Sequence, residues 1–264
     1  MLSETEERRT RLTLIYGPAF RRAFEIFALG TTDSPVRDDE VIELARSAGI
    51  SKEQRILEPC SGSGGVSRLL TREFRCEVLG IDVVPYQLDV AKSKAAHEGF
   101  QSLIAYIEGD AVTYAYPREA FDAAIDVFAW VHVADWPDLF RTIHEALKPR
   151  GKIVMYDAFL TPKTTKQTEE AVKDKWFDPG IRTVDDCCLA FDRTGFRVIH
   201  KEDRRQRVLE SWRAGLARLK EAADEFIGEF GEEPYELFSE TISWTIRAHE
   251  EEELTAAQIL AEKV

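Results

Sequence analysis

The sequence is poor in the residues that carry disulfide or metal chemistry, with four cysteines and five histidines among 264 residues. Cys187 and Cys188 are adjacent, and the four cysteines form neither a disulfide framework nor a metal-finger spacing. Reduced thiols are therefore expected. The histidines are scattered, and no His/carboxylate spacing recurs, which argues against a metal site. Long apolar runs are missing too. The longest, residues 121–133, is interrupted by Asp122 and Asp126, and the opening MLSETEERRTRLTLIYG lacks a signal-peptide core. A cytoplasmic chain without a membrane partner is the expectation. Positive charge is also in deficit, with 35 Lys and Arg against 48 Asp and Glu, a net charge of −13. Binding to a phosphate backbone depends on a basic surface, so nucleic acid is excluded as a leading partner.

What the chain does have is enough apolar sequence for a core, 44% hydrophobic against 31% charged. No linker, repeat or low-complexity tract divides it, so one domain is expected over residues 1–264. Residues 4–29 place Leu12, Ile15, Tyr16, Phe20, Phe24 and Phe27 at helical spacing, the mark of a helical arm reaching to about residue 40. A second helix carries Val41, Leu44 and Ala45 and ends at Gly49.

Over residues 41–205 strand-length apolar runs alternate with helices. The strands are expected at 56–60, 78–83, 104–108, 123–128, 153–156 and 196–202, with helices at 66–73, 85–98 and 136–148. Right-handed crossovers turn this alternation into a doubly wound parallel sheet. Residues 206–252 interrupt it with helices, the first bearing Trp212, Leu216, Leu219, Ala223 and Phe226 on one stripe. A closing strand within 253–264 makes seven. The short acidic run at 250–253 reads as a solvated turn, and TVDDCCLAF as a helix in which both cysteines are buried.

The first strand runs into a turn containing Gly62, Gly64 and Gly65, where backbone N–H groups and a helix N-terminus can approach a ligand. Such turns serve several cofactors, so the acids discriminate. Glu58 lies in the first strand, Asp82 ends the second and Asp110 ends the third. All three arrive at the carboxyl edge of the sheet, where doubly wound folds bind ligands. The plain alternative for each acid alone is a solvated strand end or a helix cap.

Glu58-Pro59-Cys60-Ser61-Gly62-Ser63-Gly64 resembles the first motif of the class I S-adenosylmethionine-dependent methyltransferases, acidic–x–Gly–x–Gly–x–Gly, with Cys60 at the first glycine. FDAAIDVFAWVHVAD and LKPRGKIVMYD are similar to that family's fourth and fifth strands. The resemblance implies a Rossmann-like α/β fold, a seven-stranded, mostly parallel sheet with an antiparallel last strand, and S-adenosyl-L-methionine as cofactor. It further implies that Glu58, Cys60, Ser61, Gly62 and Gly64 form the cofactor turn. Asp82 would take the ribose hydroxyls with Val83 and Gln87 beside the adenosine, and Asp110 the adenine amino group with Ala111 near the ring. Asp126 and Val127 would pass the methionine end. An N-terminal arm together with helices before the last strand resembles the layout of small-molecule methyltransferases of the sarcosine/dimethylglycine type. An NAD-dependent oxidoreductase is the rival enzyme, but Ser67 stands where the third glycine of its motif would be. A non-catalytic cofactor-binding partner protein is the other alternative.

Methyl transfer from a sulfonium is a displacement that alignment and water exclusion can drive, and a base is needed only if the acceptor must lose a proton. His132, Tyr156 and Asp157 follow strands four and five and are the catalytic candidates, with packing the competing role for His132. Asp135 reads instead as the N-cap of the helix opened by Trp136-Pro137. Tyr16, Phe128, Trp130, Trp176 and Trp212 are the candidates for contacting a small-molecule acceptor, from an aromatic wall and a lid, with core filling as the alternative for each. A homodimer is left open.

Overall fold

The computed structural model describes residues 16–176 and 181–264. Residues 1–15, which hold the first part of the expected arm, lie outside the described residues. The arm enters as α1 (Pro18–Phe27), opened by its proline, and α2 (Asp38–Ser47) follows with a capping box between Arg37 and Glu40.

The alternating region then folds as β1 (Arg55–Pro59), α3 (Gly65–Phe74), β2 (Glu77–Asp82), α4 (Pro85–His97), β3 (Ile104–Glu108) and β4 (Phe121–Val127). A single 3₁₀ turn, Trp130–His132, precedes α5 (Trp136–Ala146), which Asp135 caps by accepting from the Asp138 N–H at 2.9 Å. This helix ends two residues before the sequence-based expectation, because Leu147 already pairs with Phe121 as the first residue of β5 (Leu147–Leu160).

After β5 come α6 (Lys166–Lys175), which apolar periodicity did not announce, α7 (Val184–Arg193) and β6 (Phe196–Asp203). Cys187 on α7 is buried with its Sγ 3.8 Å from the Met155 sulfur, whereas Cys188 is half-buried on the outer side, a partial correction to burial of both. The insertion forms α8 (Arg205–Glu221), α9 (Ala223–Phe230) and α10 (Glu232–Glu250), so the stripe from Trp212 to Phe226 is divided at Ala222. The chain closes with β7 (Leu254–Lys263).

The strand order is β3-β2-β1-β4-β5-β7-β6. Strands β1 to β5 pair in parallel, and β7 runs antiparallel between β5 and β6. Alternation sends successive side chains to opposite faces. Ile56, Val78, Ile125 and Val154 pack under α2, α3 and α4, while Leu57, Ile81, Ala124 and Ile153 pack under α5 and α7. The order reverses between β1 and β4, and a crevice opens above their carboxyl ends. The α1 helix lies against α8 and α10 through Phe27, Trp212 and Phe238, so arm and insertion share one apolar cluster. No helix among the described residues is long and apolar enough to cross a membrane.

Candidate active site

A cavity of about 330 Å³ fills the crevice above β1, β2 and β4. Its floor is the turn after β1, which climbs steeply because Cys60 adopts a left-handed φ of 62°. That backbone is comfortable for glycine and costly for a side chain, which explains why the resembling motif places glycine there. Gly62 follows at φ 49°, lines the cavity, and among the described residues has no atom within 4 Å of the point where a side chain would begin. The turn is held from both sides. The Gly62 N–H donates to Asp82 Oδ2 at 2.8 Å, the Ser61 N–H to the Ile81 carbonyl at 2.9 Å, and Arg68 Nη1 on α3 to the Ser63 carbonyl at 2.6 Å.

The acids stand around this floor. Glu58 lines the cavity, accepts from the Ser67 hydroxyl, and is pushed by burial up to about 8, so it holds its proton at neutral pH. Asp82 is raised by burial and eased by the backbone N–H groups of Val84, Gly62 and Val83. Asp110 ends its strand with Oδ1 accepting from the Val112 N–H at 2.8 Å. Val83, Ala111 and Val127 supply apolar wall beside them. The Ser61 hydroxyl and the Gln87 carbonyl oxygen both belong to cavity-lining residues, are buried and have no hydrogen-bond partner among the described residues. Polar atoms left in this state inside an acid-rimmed cleft fit a ligand with donors and acceptors along its length, as an adenosine bearing an amino-acid tail has.

The opposite end is aromatic. Tyr16 stacks on Phe24, with centroids 6.1 Å apart and planes at 13°, and meets the His132 ring edge-on at 5.6 Å. The Tyr16 hydroxyl lies 2.6 Å from His132 Nε2. Burial, followed by the nearby Asp82 charge, raises the Tyr16 phenol above its ordinary range, so it keeps its proton. Gln87 Nε2 donates to the Tyr16 carbonyl at 3.1 Å and ties the arm to α4. Phe128, at φ 55°, faces the same space.

Of the residues singled out in the sequence, Glu58, Cys60, Ser61, Gly62, Asp82, Val83, Gln87, Asp110, Ala111, Val127, Tyr16, Phe128 and His132 line the cavity. Gly64 does not: it caps α3, and the Tyr106 hydroxyl covers it, donating to its carbonyl at 3.4 Å. Asp126 is 1% exposed and points behind the wall, since strand alternation gives the cavity to Val127. Alternation also separates Tyr156 from Asp157. Tyr156 is buried toward α2, where its hydroxyl donates to Glu40 Oε1 at 3.2 Å, and Asp157 is buried beneath the 3₁₀ turn, so neither reaches the cavity.

Three tryptophans are corrected as well. Trp130 is fully buried, its Nε1 donating to the Pro59 carbonyl at 3.2 Å, because the tight turn that points His132 into the cavity points Trp130 into the core. Trp176 packs edge-on against Trp244 and donates to Thr245 Oγ1 at 3.0 Å. Trp212 packs on Phe27 with centroids 4.9 Å apart.

The sequence reading passed over Arg21, Phe24, Asp33 and Ser63, which line the same cavity. Arg21 is 5% exposed, pairs with Asp33 and Glu25, and donates to Ser63 Oγ at 2.8 Å, linking the arm to the turn. The available signal was local: Arg21 lies three residues before Phe24 on the inward face of α1.

The strand order, the antiparallel β7 and the acid-rimmed crevice define a Rossmann-like methyltransferase fold. The family model described as a methyltransferase domain matches residues 57–155. Phosphoethanolamine N-methyltransferase 1 of Arabidopsis thaliana is 27% identical over 195 residues, 74% of this chain and 39% of its own length. Sterol 24-C-methyltransferase of Aspergillus fumigatus is 27% identical over 166 residues, 61% of this chain and 44% of its own length. The chain thus spans about two fifths of the length of these relatives. Among solved structures, a phosphoethanolamine N-methyltransferase 2 of Haemonchus contortus aligns with a TM-score of 0.88 at 22% identity, covering 97% of this chain and 60% of that one. A putative sarcosine dimethylglycine methyltransferase of Galdieria sulphuraria aligns with a TM-score of 0.78 at 17% identity, covering 86% and 84%. Residues 57–155 thus match a methyltransferase domain, and the chain is similar over most of its length to S-adenosylmethionine-dependent methyltransferases. Nothing among these relatives supports the oxidoreductase alternative.

Proposed function

We propose that this chain methylates a small-molecule acceptor bound between the glycine turn and the Tyr16–His132 pair. The observation that carries this is the single cavity whose one end is rimmed by Asp82 and Asp110 and whose other end is closed by Tyr16, Phe24, Phe128 and His132. The bound S-adenosylmethionine would supply an electrophilic methyl group on a sulfonium, a centre that suits an acid-lined cleft.

Asp82 would take the ribose hydroxyls and Asp110 the adenine amino group, with Val83, Ala111 and Gln87 against the adenosine. Glu58, Cys60, Ser61 and Gly62 would hold the amino-acid tail through backbone donors and the Ser61 hydroxyl, which has no partner among the described residues. The protein's part is then alignment and the exclusion of water by the aromatic end. Where the acceptor carries a proton, the Tyr16 hydroxyl can receive it while giving its own to His132 Nε2, which stands in hydrogen-bond contact. The arm, the core and the 206–252 helices would work as one domain, since Phe27, Trp212 and Phe238 pack together. Cytoplasmic residence belongs to the same proposal, supported by four free thiols.

The test is turnover. The protein is incubated with S-adenosylmethionine and a panel of amine, hydroxyl and activated-carbon metabolites, and S-adenosylhomocysteine is measured. Acceptor-dependent product is expected. Tight binding of S-adenosylhomocysteine with no turnover across the panel would favour a cofactor-binding partner protein instead.

A further inference from the structure

The loop between α1 and α2 lies over the glycine turn, where Thr32, Asp33 and Ser34 line the cavity together with Ser63 and with Gly65 at the start of α3. A side chain at Gly65 would collide with the Thr31 carbonyl and the Thr32 backbone, so glycine is what lets the loop come this close. The loop is also fastened on its own side. The Thr31 N–H donates to Asp38 Oδ1 at 2.7 Å, and the Thr32 hydroxyl donates to the Val36 carbonyl at 2.9 Å.

Two opposite charges meet here. Arg21 and Asp33 both line the cavity and pair with each other, and the Ser63 hydroxyl accepts from Arg21 Nη1 at 2.8 Å while donating to Asp33 Oδ2. Arg21 Nη2 donates to Glu25 Oε1 at 2.9 Å, an oxygen that also takes Lys94 Nζ at 2.9 Å. The charges balance, Arg21 and Lys94 against Glu25 and Asp33. Hydrogen-bonding capacity is nevertheless left over. A guanidinium has five N–H donors, and Nε of Arg21, a residue 5% exposed, is buried with no hydrogen-bond partner among the described residues. Arg21 and Ser63 both meet Asp33 at Oδ2, so these bonds do not use Oδ1.

A ligand group carrying a single charge would be repelled by one member of this pair. A group carrying both charges on one carbon, as an α-amino acid does, opposes neither and buries no net charge. We propose that Arg21 and Asp33 form a zwitterion site for the amino-acid tail of the cofactor, Arg21 taking the carboxylate at Nε and Asp33 the ammonium. The assignment rests on the cofactor placement proposed above, in which the tail lies over the glycine turn. It adds to the backbone donors of that turn two side chains that read the tail by charge. The guanidinium stands at the end of a flexible stem and is fastened to Ser63 and Asp33, so a shift of α1 at its Phe27 end leaves it on the turn.

The test compares ligands that differ only in the tail. S-adenosylhomocysteine has both charges, its decarboxylated form keeps the amine alone, and methylthioadenosine has neither. Each is titrated calorimetrically into wild type, Arg21→Met and Asp33→Asn. Arg21→Met should weaken S-adenosylhomocysteine by roughly ten- to a hundredfold, the range for a hydrogen bond between charged groups, and should weaken neither of the other ligands. Asp33→Asn should weaken S-adenosylhomocysteine and its decarboxylated form alike and spare methylthioadenosine. Should Arg21→Met not fold, Arg21→Lys, which keeps the charge but has no Nε donor, carries the same expectation for S-adenosylhomocysteine. Undiminished S-adenosylhomocysteine affinity in a folded variant at either position would overturn the proposal. So would equal losses for S-adenosylhomocysteine and methylthioadenosine, because the two residues would then only seat the arm. Wild type that binds none of the three ligands would remove the cofactor placement itself, whereas failure confined to the variants removes this inference alone.

Discussion

The Tyr16 hydroxyl is hydrogen-bonded to His132 Nε2 at 2.6 Å, across 116 residues of chain. One partner comes from the arm and the other from the turn after β4, so the contact exists only when the arm lies over the crevice. If the pair moves a proton from the acceptor, Tyr16→Phe and His132→Gln should each lower turnover by on the order of a hundredfold or more, the scale of general base catalysis. S-adenosylhomocysteine affinity should change little, because Asp82 and the glycine turn are untouched. Product formation and calorimetry on the same preparations check both halves.

Asp82 receives backbone N–H groups, among them Gly62 at 2.8 Å and Val84 at 2.9 Å, and lies on the cavity rim. Asp82→Ala should therefore weaken S-adenosylmethionine by about ten- to a hundredfold, since a charged hydrogen bond is worth roughly 1.5–3 kcal/mol. Trp176→Ala, at a side chain that does not line the cavity, should leave the affinity unchanged. Calorimetric titration of the two variants measures the contrast, and equal affinities would remove Asp82 from the cofactor site.

The strands and their acids were legible because period-two apolar runs and strand-ending carboxylates are local signals. Asp82 and Asp110 needed only the sheet to bring them together. Tyr156 and Asp157 were not legible in the same way. The sequence puts them at the end of β5 but does not say which face of the sheet the cavity occupies, and alternation sends both elsewhere. Trp130, Trp176 and Trp212 failed for a related reason: an aromatic that fills a core and one that lines a pocket have the same local pattern, and only packing decides. Arg21 and Asp33 escaped notice because their partners, Ser63 and each other, are fixed by how the arm docks.

Glu58 is raised by burial from 4.5 to about 8, with the Ser67 hydroxyl and Arg68 opposing the rise. The folded protein thus keeps a proton that the unfolded chain releases above its ordinary carboxyl value. This group's contribution to stability is fully present below about pH 4.5 and is lost as pH climbs through the folded value, at about 1.4 kcal/mol per pH unit. Glu58→Gln, uncharged throughout, should unfold with a shallower pH dependence over that window. Urea denaturation of wild type and variant across the window checks this, and parallel curves would mean Glu58 is ionised in the fold.

Gly215 on α8 faces the ring of Phe27 on α1, and a Cβ there would fall inside that ring's contact distance. Neither partner can easily yield, since Phe27 is 1% exposed and also packs against Trp212 and Phe238. Gly215→Ala should therefore displace α1, and the displacement reaches Tyr16 two residues before the helix begins. Overpacking of this kind costs about 1–3 kcal/mol, although alanine is the better helix former at that position. The expected outcome is a folded protein that loses turnover and the Tyr16–His132 contact before it loses cofactor affinity, because α1 moves while β1, β2 and their turn do not. Full turnover in Gly215→Ala would show that the arm's seat on the insertion does not set the aromatic end of the cavity.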